Sequence, residues 1–99
     1  MTINTKLNDK ALEIALEGRL DTMTAPELEA ELSKTMGSAD TLTLDFSKLD
    51  YISSAGLRVL LSAHKAMSAK GGMKVTNVNE IVQEVFEVTG FADILDIEK

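Results

Sequence analysis

Ninety-nine residues suffice for one hydrophobic core and are too few for two, so a single domain over residues 1–99 is expected. Apolar residues at 44%, charged residues at 26%, six Gly and one Pro describe an ordinary globular chain and exclude collagen-like, low-complexity and coiled-coil classes. Zero Cys excludes a disulfide framework and a thiolate metal site, and a net charge of −6 opposes binding to nucleic-acid phosphates or anionic lipid.

The first residues, Met1 to Lys10, lack the apolar segment of a signal peptide. No run approaches the roughly 20 apolar residues of a membrane span, so a cytoplasmic location without membrane insertion is expected. Ile3, Thr5 and Leu7 alternate with polar residues, Asn8-Asp9-Lys10 supplies a turn, and Leu12, Ile14 and Leu16 alternate again. This pattern predicts a hairpin of two strands. After Gly18-Arg19-Leu20-Asp21, Thr22 or Thr24 is positioned to cap a helix with Pro26 in its first turn. Leu28, Leu32 and Met36 then form one apolar face of a helix over 25–36, which Gly37-Ser38 ends.

Thr41 to Phe46 is β-rich and predicts a third strand, with Ser47 to Ile52 expected as a loop. The loop leads through Ser53-Ser54-Ala55-Gly56 into a helix with a stripe of Leu57, Leu60, Leu61 and Met67, stopped by Gly71-Gly72. Met73 to Asn77 reads as a fourth strand. Asn79 or Thr76 is placed to cap a third helix over 80–89, which ends at Gly90. Residues 91–97 are expected to form a last strand or an extended tail. Strands separated by helices predict an α/β sandwich.

The segment Ser53-Ser54-Ala55-Gly56 holds the chemistry. A serine between a strand and a helix can cap the helix by accepting one of its orphan N–H bonds, worth about 1 kcal/mol. Alternatively it accepts a phosphoryl group, which gains from the same donors and adds about −1.5 to −2 units of charge to a low surface of small residues. The residue types alone leave both readings open.

Gly18-Arg19-Leu20-Asp21, Leu44-Asp45-Phe46, the run Tyr51-Ile52-Ser53-Ser54-Ala55-Gly56-Leu57-Arg58-Val59-Leu60-Leu61, and Gly71-Gly72 together resemble the STAS domain of bacterial anti-sigma factor antagonists. The resemblance covers essentially the whole chain. It implies an α/β fold, a single domain whose four- to five-stranded mixed sheet has helices packed on one side. It also implies a serine at the start of the second helix that an anti-sigma factor with serine kinase activity phosphorylates. Ala55-Gly56-Leu57 sets the register that makes this residue Ser54. The family frequently carries Asp just before the modified residue, where this chain has Ser53, and Ser53 therefore stays a rival acceptor.

The resemblance places Asp21 beside the site, to contact a partner or, as a plain loop residue, to cap the backbone near Thr24. The expected partner surface comprises Asp21, Asp50, Ser53, Ser54, Ala55, Gly56 and Arg58. In this reading the unmodified chain binds the anti-sigma factor and releases the sigma factor, phosphorylation switches binding off, and a phosphatase resets it. The alternative is a constitutive adaptor, since STAS-like domains also occur in complexes such as lipid-transport ATPases.

Neither a catalytic site nor a cofactor or metal site is expected. His64 lies about three helical turns from Ser54, roughly 15 Å away, too far to act as its base. It is expected at the core edge, bonded to a carbonyl. No Gly-x-Ser-x-Gly elbow, Walker loop, dinucleotide fingerprint or calcium loop is present. Asp45 and Asp50 read as solvated strand-end or turn residues, and Met23, Met36, Met67 and Met73 as core filler.

Overall fold

The two alternating stretches at the start of the chain pair as an antiparallel hairpin, β1 (Thr2–Asn8) and β2 (Ala11–Leu20), in the computed structural model, which describes residues 1–98. Then follow α1 (Ala25–Thr35), β3 (Thr41–Ile52), α2 (Ser54–Ser68), β4 (Met73–Thr76), α3 (Glu80–Thr89) and β5 (Asp96–Glu98), with short 3-10 turns after α1 and α3. The sheet order is β1-β2-β3-β4-β5, and every pair after the hairpin is parallel. Each parallel crossover moves one strand further in the same direction, and right-handed crossovers of that kind put all three helices on one face. The single domain, mixed five-stranded sheet and one-sided helical layer match the expected fold.

Alternation decides which side is covered. Leu12, Ile14 and Leu16 of β2, and Leu42, Leu44 and Phe46 of β3, are buried beneath the helices, while Glu13 and Thr41 face solvent on the open side. α1 contributes Leu28 and Leu32 to the core, α2 Leu57, Leu60 and Met67, and α3 Val82 and Phe86. Phe86 meets Phe46 with ring centroids 6.5 Å apart, fixing α3 on the third strand. Burying each such large side chain stabilises the fold by about 1.5–3 kcal/mol.

One expectation fails, and another holds only for a shorter segment than expected. Ser47 to Ile52 is strand, not loop. The pairing of β2 with β3 shifts between Ala15 and Glu17 and again between Gly18 and Arg19, so β3 carries two extra residues along its length. These bulges break the alternation that marks a strand, leaving Ser47 and Lys48 consecutively exposed. Within 91–97, Phe91–Asp93 forms a 3-10 turn and only Asp96 onward pairs with β4, because Phe91 and Leu95 fold back against the core first. His64 also departs from expectation: its Nδ1 is buried without a hydrogen-bond partner among the described residues, so no carbonyl receives it.

Candidate functional site

In a parallel sheet the helices begin where the strands end, so the starts of α1, α2 and α3 share the C-terminal edge of β2, β3 and β4. The second β3 bulge lies there. Leu49 pairs with Gly18 and Tyr51 with Arg19, which leaves Asp50 between them as the extra residue, unpaired and exposed. Such a bulge bends the strand and raises its local twist just before the α2 entrance. The Ser53 N–H donates to the Leu20 carbonyl at 2.9 Å, joining the β2–α1 loop to the first residue of the α2 entrance.

The two serines differ in what their side chains do for the helix. Ser53 is the N-cap: its backbone is extended and its Oγ accepts from the Gly56 N–H at a long 3.5 Å. Ser54 is the first helical residue, is exposed, and its hydroxyl has no hydrogen bond to any described residue. The N–H groups of Ser54 and Ala55 have no acceptor within the helix, and no acidic residue occupies the first turn. The positive end of the helix dipole is therefore uncompensated at Ser54.

Gly56 is buried, so it belongs beneath the expected partner surface and is not itself part of it. A Cβ here would lie 2.7 Å from Leu20 Cγ and 2.9 Å from Ile52 Cγ1. The missing side chain lets α2 sit close on the strand ends, which keeps Ala55 and Ser54 low on the surface. Arg58, one turn on, is exposed and makes no ion pair among the described residues. It lines a groove of about 370 Å³ between α1 and α2, facing Thr22, Pro26 and Glu29 across Ala55.

Asp21 closes the β2–α1 loop. Its Oδ1 accepts from the N–H groups of Met23 at 3.0 Å and Thr24 at 3.1 Å, as the plain loop reading requires. Thr24 occupies the α1 N-cap position, but its hydroxyl turns back instead, donating to the Arg19 carbonyl at 2.7 Å and accepting from the Asp21 N–H at 2.8 Å. Partial desolvation raises the Asp21 pKa, but the Thr24 and Met23 N–H bonds, the Thr24 hydroxyl and the Arg19 charge outweigh it and hold the carboxyl below 3.8. Arg19 reaches Asp21 at 3.7 Å and stacks 4.5 Å over the Tyr51 ring, so it ties the loop to the strand end beside Asp50.

Met23 is a residue that the sequence reading misplaced. It is 83% exposed at the tip of this loop, not core filler. The signal was present: Met23 stands between two threonines and off the Leu28/Leu32/Met36 face. Asp45 sits at the first bulge, farther down β3. Asn77 Nδ2 donates to it at 3.0 Å and the Ser47 N–H at 2.9 Å, which together hold its pKa below 3.8. It fastens the approach to α3 and is more than a solvated strand end.

No group of three His, Cys, Asp or Glu able to hold a metal occurs among the described residues, and no described helix is long and apolar enough to cross a membrane.

Comparison with known proteins adds to this geometry. A family model described as Mlab, STAS domain matches residues 3–96. BtrV of Bordetella bronchiseptica, whose name assigns it to the anti-sigma factor antagonists, is 38% identical over 91 residues, covering 90% of this chain and 78% of that protein. An anti-sigma factor antagonist from Mycobacterium paratuberculosis superposes with a TM-score of 0.88 at 21% identity, covering 98% of this chain and 84% of that one. The Bacillus cell-fate determinant SpoIIAA in its phosphorylated form gives 0.75 at 20% identity, over 99% of this chain and 92% of that one. With the family model spanning nearly every element described above, the chain belongs to the STAS-domain family of anti-sigma factor antagonists.

Proposed function

We propose that the chain is a phosphorylation-switched anti-sigma factor antagonist and that Ser54 is the switch. The unmodified form binds an anti-sigma factor kinase through the α2 entrance and so releases the sigma factor. The observation that carries this reading is the division of labour between the serines: Ser53 serves the helix, while the Ser54 hydroxyl stands exposed over unpaired N–H groups. The relative named as an antagonist, 38% identical, and a neighbour solved in a phosphorylated form support it.

In the switching step the Ser54 oxygen attacks the γ-phosphorus of ATP held by the partner. The bond to the bridging oxygen breaks, ADP leaves, and the serine proton passes to a base of the kinase. This chain is the substrate in that reaction and not the catalyst. The added charge is compatible with its own helix, whose dipole and free N–H groups favour an anion. It opposes the partner, which must approach closely over Ala55 and would have to desolvate the phosphate. A phosphatase would restore binding.

Fragmentation mass spectrometry across Leu49–Arg58, on protein purified from its own cells, is expected to find one phosphate, on Ser54. The Ser54→Ala variant should lack it and hold the anti-sigma factor constitutively. Phosphate on Ser53 would overturn the assignment. No phosphate under any growth condition, with partner capture unchanged in Ser54→Ala, would favour a constitutive adaptor instead.

A further inference from the structure

Helix α3 presents a second surface that the Ser54 switch does not use. Ile81, Val85 and Val88 recur at spacings of four and three and so form one stripe along the helix. Ile81 is 60% exposed and Val88 77%; Val85 between them is half-buried and packs partly against the core, which α3 serves mainly through Val82 and Phe86. Beside the stripe run Glu80, Glu84 and Glu87, all exposed and without an ion pair among the described residues. They border a shallow groove of about 390 Å³ with Val78, Asn79 and Gln83, and α3 contains no Lys or Arg.

Folding accounts for Val85, which packs partly on the core, and for Glu80, which compensates the helix dipole, but not for Ile81, Val88, Glu84 and Glu87. β-branched residues are among the weaker helix formers, so Ile and Val at open positions cost a few tenths of a kcal/mol each relative to Ala. Three carboxylates on one flank repel one another along the helix. An apolar stripe rimmed by charge of a single sign is instead the signature of a contact surface.

We propose that α3 is a docking face for a basic amphipathic helix of a partner protein, with aliphatic anchors on the Ile81/Val85/Val88 stripe and Lys or Arg along Glu80, Glu84 and Glu87. Charge decides among the occupants. A second copy of this chain would bring its own unpaired carboxylates, and an anionic lipid surface would be repelled. An uncharged apolar segment would leave the acidic flank unpaired at the rim. Only a cationic amphipath satisfies both halves of the surface.

The probe is a helical peptide of leucine and lysine of about five turns, roughly 18 residues, titrated into the 15N-labelled full chain. Its leucine–glutamate counterpart and phosphatidylglycerol vesicles are the controls. Amide shifts should cluster in Glu80–Thr89, and Val88→Ser or Ile81→Ser should weaken binding about tenfold. Glu84→Gln with Glu87→Gln should weaken it and flatten its salt dependence. These side chains are exposed, so the variants retain the fold, and Ser54→Ala should bind the peptide like the parent. Shifts scattered over other acidic surfaces, or binding indifferent to Val88→Ser, would overturn the proposal. So would dimerisation of the parent chain that Val88→Ser abolishes, or vesicle binding through the same stripe.

Discussion

Helices α2 and α3 both begin at the C-terminal end of a parallel strand, each behind a side chain that accepts from a backbone N–H. Their entrances are nevertheless fastened very differently. At α3, Asn79 Oδ1 accepts from the Val82 N–H at 2.8 Å while its Nδ2 donates to the Leu49 carbonyl at 2.8 Å. Asn77 adds its bond to Asp45, and Glu80 in the first turn compensates the dipole. At α2 the single side-chain bond to Ser53 is 3.5 Å long and no acid is present. One entrance is locked and electrostatically complete. The other leaves the Ser54 and Ala55 N–H groups without an acceptor within the helix and an uncompensated dipole, and is held on the strand ends by the close packing of Gly56.

That contrast can be broken most strongly at Gly56. Ala at this position would gain up to about 1 kcal/mol of helix propensity, but its Cβ would press into the fully buried Leu20 and Ile52. Overpacking wins, and Gly56→Ala should destabilise the chain by about 1–3 kcal/mol in urea unfolding. Unchanged or raised stability would show that α2 is free to lift off the strand ends.

Asn79→Ala comes next, with an expected loss of about 1–2 kcal/mol, since it removes a cap and leaves the Leu49 carbonyl without its side-chain donor. Asp45→Asn should act less, and through pH. The folded pKa of Asp45 lies below the ordinary value, so its contribution is full above 3.8 and fades as pH falls through the folded pKa. Parent and variant stability curves should therefore converge toward acid and separate near neutrality. A constant difference across pH would remove the carboxylate from the account.

The smallest effect sharpens the comparison. Ser53→Ala should cost about 0.5 kcal/mol or less, because the bond it deletes is long, and Ser54→Ala should leave the unfolding midpoint unchanged. If Ser54→Ala were the costlier of the two, the cap would belong to Ser54 and the roles of the serines would be reversed.

Much of this was legible in the residues. The hairpin, the three helices and their stops follow from the alternation around Asn8–Lys10, the spacing of Leu28 and Leu32, and the glycines at 71, 72 and 90. These are local signals, in which each residue's conformational preference agrees with its neighbours'. The Ser-Ser-Ala-Gly segment likewise announced a helix entrance.

Tertiary structure decided the rest, because it turns on pairing and packing across the chain. The β3 bulges exist only relative to β2: the longer strand must shed two residues, and the alternation that would reveal it is lost there. Gly56 is defined by Leu20 and Ile52, far from it in sequence or on another element. The choice between Ser53 and Ser54 as cap depends on where the backbone turns from extended to helical, a one-residue distinction that packing of α2 on the strand ends sets and that two identical side chains cannot signal.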